Sequence, residues 1–128
     1  MVISIEQTVR PCFADPGLLA LLEAADAAGL DRLDFGVIRM DRAGIVVAYN
    51  AHESAAAGLA RDRVLGLHFF SVVAPCTNNF MIATRFEEEA AIDDVIPYVF
   101  TLRMRPTKVR LRLLKQPGCP HMYVLVQR

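Results

Sequence analysis

Phe35-Gly36-Val37-Ile38-Arg39-Met40-Asp41-Arg42-Ala43-Gly44-Ile45-Val46-Val47-Ala48-Tyr49-Asn50 decides the fold class, because it reads as two strands folded back on each other. Apolar and β-branched residues fill Phe35 to Met40 and Ile45 to Tyr49, and Gly44 supplies the positive φ that a short hairpin turn requires. Immediately downstream, Asn50 is placed to cap a short Ala-rich helix from Ala51 to Ala57, with Gly58 ending it. Arg61 to Leu65 reads as another short turn closed by Gly66, and His68 to Val73 is apolar up to Pro75. From Asn79, the spacing of Met81, Ile82, Arg85, Phe86 and Glu89 predicts a longer amphipathic helix ending near Ala91, with Glu87, Glu88 and Glu89 on its wet face.

Beyond that helix the period changes. Val95 to Arg105, Thr107 to Lys115 and Met122 to Gln127 alternate sides and are rich in β-branched and aromatic residues, as three antiparallel strands would be. Pro106 marks a bulge or edge position at the first junction, and Pro117-Gly118 makes the second turn. Upstream of the hairpin, Asp15, Pro16 and the stripe of Leu18, Leu19, Leu21, Leu22 and Ala25 predict one amphipathic helix ended by Gly29. The order implies an α+β fold: a five-stranded antiparallel sheet with short helices on one face, a connector helix, and an N-terminal helical cap. The expected boundaries are residues 1–29 for the cap and 30–128 for the main domain.

Composition narrows the function. A 54% hydrophobic chain of 128 residues buries a real core, and its 14 basic and 14 acidic side chains cancel. No basic stripe with interleaved aromatics appears, which argues against nucleic acid. Lys and Arg crowd only Arg103 to Arg112, where their alternation with apolar residues predicts the solvent face of a strand. No apolar run approaches the roughly 18 residues of a membrane span. The N-terminus lacks the basic start of a secretory signal, so the expected location is the cytoplasm. Cys12, Cys76 and Cys119 are an odd set, too widely spaced for a paired metal-ligand motif, and suit free thiols in a reducing compartment.

The residues that point to a chemistry are Ala74-Pro75-Cys76-Thr77, with Tyr49 and Glu53 upstream. Together with Phe35-Gly36-Val37-Ile38, Asn50-Ala51, Gly66, Phe69-Phe70, Val73, Phe86, Tyr98, Phe100, Met104 and Pro106-Thr107-Lys108-Val109, they resemble the photoactive yellow protein family, PAS-fold blue-light receptors of bacteria. The resemblance runs from about Leu30 to the C-terminus.

It implies that Cys76 carries 4-hydroxycinnamic acid (p-coumaric acid) as a thioester, a role for which sulfur combines nucleophilicity with an acidity reachable near neutral pH. It also implies that Tyr49 and Glu53 hydrogen-bond the phenolate, Glu53 as a protonated acid. By the same resemblance, Ile38, Val73, Ala74, Thr77, Phe100 and Met104 would line the pocket, with Met104 assisting re-isomerisation. Light would isomerise the pigment, Glu53 would pass it a proton, and a loosened cap and sheet would be the signal, delivered to a separate signalling protein or through a homodimer contact. No enzymatic activity is expected.

Three positions depart from the family pattern. Ala57 stands where a threonine usually bonds the tyrosine hydroxyl, and Leu59 and Leu102 stand where an arginine and a tyrosine are usual. An apolar contact at the pocket mouth is expected instead, with Arg103 or Arg105 as a substitute cation, and the loss of one donor predicts a higher chromophore pKa. His52 reads as an exposed helix histidine beside Glu53. A cysteine hydrolase using Cys76 with His52, His68 or His121 has no supporting signature. The alternative within the same fold is a PAS interaction or small-ligand module without pigment.

Overall fold

The computed structural model describes residues 11–102 and 104–128. Five strands, β1 (Gly36–Asp41), β2 (Val46–Tyr49), β3 (Ile92–Leu102), β4 (Arg105–Lys115) and β5 (His121–Gln127), form one antiparallel sheet in the order β2-β1-β5-β4-β3. The helices are α1 (Leu18–Ala24), α2 (Ala27–Asp31), α3 (Ala51–Ala57) and α4 (Ala83–Glu88), with short 3₁₀ turns at Arg61–Arg63 and Pro75–Thr77 and one π-helical turn at Phe69–Val73. This is the expected α+β architecture.

The sheet is covered on both faces, and strand alternation sorts its residues between them. On β5, Met122, Val124 and Val126 join Ile38, Met40, Phe69, Phe70, Phe86 and Phe100 under the short helices. Tyr123 and Leu125 face the other way, onto Phe13, Leu18, Leu22, Leu30 and Phe35 of the N-terminal segment. The central strand is therefore buried on both faces from Met122 to Val126, with only its end residues His121 and Gln127 partly exposed.

The hairpin turns at Gly44, φ 86, and α3 runs as its sequence predicts, from the Asn50 cap to Gly58 at φ 69. Two helices differ. The single N-terminal helix is instead α1 and α2: Gly17 takes a left-handed φ of 71 before α1, and Asp26 restarts the helix by accepting from the Gly29 N–H at 2.8 Å. Gly29 thus lies inside α2, and Asp15 bonds backwards to the Cys12 N–H. The helix expected from Asn79 is only Ala83–Glu88, because the Asn79 side chain accepts from the Met81 N–H and holds the first turn out of helical form.

Polar anchors fasten the N-terminal segment to the sheet. Arg112, expected in solvent, is 4% exposed: it forks onto Asp93 at 2.9 and 3.0 Å and donates to the carbonyls of Phe13 and Asp15. Arg105, Lys108 and Arg110 are exposed as expected. Arg39 donates to the carbonyls of Leu22 and Ala25, satisfying acceptors at the end of α1. Tyr123 donates to Glu23 at 2.5 Å and accepts from Arg39 at 2.7 Å.

Candidate functional site

The site is built outward from Asn50, which is buried with its amide fully used. Its Oδ1 accepts from the N–H groups of Val37 and Glu53, and its Nδ2 donates to the carbonyls of Leu30 and Phe35. One side chain thereby locks the end of β2, the start of α3, β1 and the N-terminal segment together. That lock fixes Tyr49 on one side of the cap residue and Glu53 on the other.

Glu53 is completely buried. Its carboxyl lies over Gly36, where an added Cβ would stand 2.1 Å from Oε1, so β1 needs glycine there for space rather than for backbone freedom. Both oxygens are held by Arg128, Nη1 to Oε1 at 2.7 Å and Nη2 to Oε2 at 3.2 Å. Burial pushes the Glu53 carboxyl above its usual range, and Arg128 pulls against that without overturning it.

Tyr49 is 2% exposed and its hydroxyl has no hydrogen-bond partner among the described residues. Burial, reinforced by the negative charge of Glu53, pushes that hydroxyl well above the usual phenol range. An orphaned buried hydroxyl costs about 1–3 kcal/mol, which a bound acceptor would offset. His52 is half-buried rather than exposed, and its Nδ1 is likewise buried with no hydrogen-bond partner among the described residues.

Cys76 is a free, half-buried thiol in the Pro75–Thr77 turn. Its carbonyl accepts from the Tyr98 hydroxyl at 2.5 Å and from the Asn79 amide at 3.1 Å, and Thr77, fully buried, donates to the Ala74 carbonyl. Ile38, Tyr49, Ala74 and Phe100 belong to one apolar cluster, and Val73, Cys76, Ala57 and Leu59 pack against it. Met104 does not join this wall. Leu102 pairs with Arg105, so Met104 falls in the β3–β4 turn, with φ 62 and 91% exposure.

No protein-family model matches the chain. A photoactive yellow protein of Rhodothalassium salexigens is 35% identical over 112 residues, covering 85% of this chain and 89% of that protein. The chain belongs to the photoactive yellow protein family. The photoactive yellow protein domain from the sensor histidine kinase Ppr of Rhodospirillum centenum superposes with a TM-score of 0.77 at 29% identity, over 85% of this chain and 98% of that domain. The PAS domain of an HTR-like protein from Haloarcula marismortui shares the fold alone, with a TM-score of 0.62 at 15% identity over 87% of this chain and 96% of that domain.

Within the photoactive yellow protein pattern, the three departures now have surroundings. Leu102 is a member of the apolar cluster and Leu59 packs against it. Arg103 lies outside the described residues, and Arg105 lines a cleft of about 470 Å³ with Ala57, Gly58, Phe100, Leu102 and Arg128. The cation that reaches Glu53 is Arg128, which the sequence reading missed. A signal for it existed: Gly36 pairs with Val126, and alternation puts Arg128 on the Val126 side of the sheet, over which Glu53 lies.

Proposed function

We propose that the protein is a blue-light receptor that carries a 4-hydroxycinnamoyl group as a thioester on Cys76. The observation that carries this reading is the Tyr49 hydroxyl, buried without an acceptor beside a carboxyl that burial keeps above its usual range. Neither arrangement is stabilising by itself. Both suit an anionic oxygen that takes one donor from a phenol and one from a protonated acid.

When bound, the pigment supplies absorption in the blue and a double bond that light isomerises. The chain's own part begins with the Cys76 thiolate, which attacks the carbonyl of an activated donor, forming the C–S bond as the donor's leaving group departs. The Tyr98 and Asn79 bonds to the Cys76 carbonyl hold that segment in place. Ile38, Val73, Ala74, Thr77 and Phe100 enclose the ligand and exclude water. Tyr49 donates through its free hydroxyl, and Glu53 is the proton donor at the ring oxygen. Once deprotonated, Glu53 is a fully buried carboxylate, and the cost of that charge favours release of the N-terminal segment toward a separate signalling protein or a second copy.

Ala57 leaves the Tyr49 hydroxyl without the threonine partner of the family pattern, so Ala57→Thr should lower the pigment pKa. The reading is tested by mixing purified protein with an activated 4-hydroxycinnamate ester. Wild type should yield a yellow product that light bleaches and darkness restores, and Cys76→Ala should stay colourless. A colourless wild type, or colour that ignores light, overturns it in favour of a PAS module without pigment.

A further inference from the structure

We propose that Arg128 is the cation of the pigment site, replacing the arginine and tyrosine for which Leu59 and Leu102 stand. The inference rests on the pigment reading above and adds a residue to it. Two of the three positions that depart from the family pattern have lost polar partners, and both leucines are spent on the apolar cluster. An anionic ring oxygen in that setting would face Tyr49 and Glu53, and among the described residues another element must supply the positive charge. Arg128 does so from the end of the chain described, reaching across 75 positions of sequence to both oxygens of Glu53.

Its placement fits the role. Arg128 lines the same cleft as Phe100, Leu102 and Ala57, and its side chain is 22% exposed where the Glu53 side chain is fully enclosed. The guanidinium therefore stands between the cleft and the buried acid. Its bonds to Glu53 use one N–H on each terminal nitrogen, and the planar fork carries further donors. Its charge also reaches the Tyr49 hydroxyl, which it favours ionising while Glu53 opposes it. The groups facing Glu53 are thus Arg128 from the C-terminal end of the sheet, Tyr49 from β2 and His52 from α3. Without ligand, Arg128 compensates the buried acid. With ligand, the same cation would serve the oxygen that Glu53 and Tyr49 share.

The test is a pH titration of the yellow form in wild type, Arg128→Gln and Arg128→Lys, with Cys76 acylation confirmed by mass in each. An opposite charge within about 4–6 Å shifts an acid by roughly 1–3 units, so Arg128→Gln should raise the midpoint by about one unit or more. Arg128→Lys keeps the charge and should stay close to wild type. His52→Gln, run alongside, should move the midpoint less than Arg128→Gln. In the unloaded proteins, the Glu53 carboxyl band in the infrared, identified by its loss in Glu53→Gln, should titrate higher in Arg128→Gln than in wild type.

Equal midpoints for wild type and Arg128→Gln, with acyl mass on Cys76 in both, overturn the role of Arg128 and leave the pigment reading standing. Equal shifts in the Gln and Lys variants overturn it as well, because packing rather than charge would then be responsible. Should Arg128→Gln not fold, Arg128→Lys with a midpoint displaced by a unit or more has the same consequence. A wild type that takes no acyl group on Cys76 removes the pigment reading and this inference together.

Discussion

The Tyr98 hydroxyl donates to the carbonyl of Cys76 at 2.5 Å, tying the segment that carries the thiol to the middle of β3. Asn79 closes the link, donating to the same carbonyl and to the Tyr98 oxygen at 2.8 Å. The thiol is thus presented from a backbone held at one point rather than from a free loop. Tyr98→Phe removes the donor while keeping the ring. It should cost about 1 kcal/mol in chemical unfolding and slow acylation of Cys76 several-fold, read by thiol labelling and by acyl mass against time. Unchanged labelling and acylation rates would show that the tie does not position the sulfur.

Glu53 gives a pH dependence whose sign is fixed by its environment. Burial raises its folded-state pKa above the ordinary carboxyl value, so between those two values the folded chain holds a proton that the unfolded chain has released. This contribution to stability is complete below the ordinary value and is lost as pH rises through the raised one. Glu53→Gln cannot release a proton. Denaturant midpoints of the unloaded protein should therefore fall less steeply with rising pH in Glu53→Gln than in wild type over that window.

Gly36 is tested by the opposite kind of change. An added Cβ would stand 2.1 Å from Glu53 Oε1 and 3.2 Å from its Cβ, and Arg128 pins the carboxyl from the other side. Gly36→Ala should destabilise by about 1–3 kcal/mol, as overpacking of a core does. In a Glu53→Ala background the same substitution should cost much less, and the coupling measured by the double-mutant cycle reports the contact.

Glu23 governs the attachment of the N-terminal segment. Burial alone would raise its pKa, but the hydrogen bonds from Tyr123 and His121, with the charge on His121, outweigh that and hold it below the usual carboxylate range. Its contribution is present above the ordinary value and is lost as pH falls through the lowered one. Glu23→Gln should cost about 1–2 kcal/mol, since it weakens two bonds to a charged acceptor. Hydrogen exchange should quicken in α1 and leave the β4–β5 pairing unaffected. Uniform quickening across the sheet would contradict a local role.

Local signals carried much of this fold. Asn50 and Gly58 bound α3 because a cap and a left-handed glycine act on their nearest neighbours, and both are visible in sequence. Gly44 did the same for the hairpin. Where two local signals competed, the reading failed: Asp26 restarted the helix and divided the N-terminal stripe into α1 and α2, and Asn79 spent its side chain on Met81, Cys76 and Tyr98 instead of opening a helix.

At the candidate site, the family motif singled out Tyr49, Glu53 and Cys76, whereas partners distant in sequence stayed hidden. Arg128 meets Glu53, and Arg112 meets Asp93 and the carbonyls of Phe13 and Asp15, only because the sheet order brings β5 and β4 beside those elements. Met104 shows the converse: its place in the motif is kept, but the Leu102–Arg105 pairing turns the chain there and leaves it in solvent.

The most direct test of the central claim is peptide mass mapping after incubation with an activated 4-hydroxycinnamate ester. Cys12 and Cys119 are built-in controls, being cysteines outside any disulfide and outside the pocket cluster. The account predicts one hydroxycinnamoyl group, on the peptide containing Cys76 and released by mild base as a thioester is. Acylation spread over Cys12 and Cys119, or an unmodified Cys76, would contradict it.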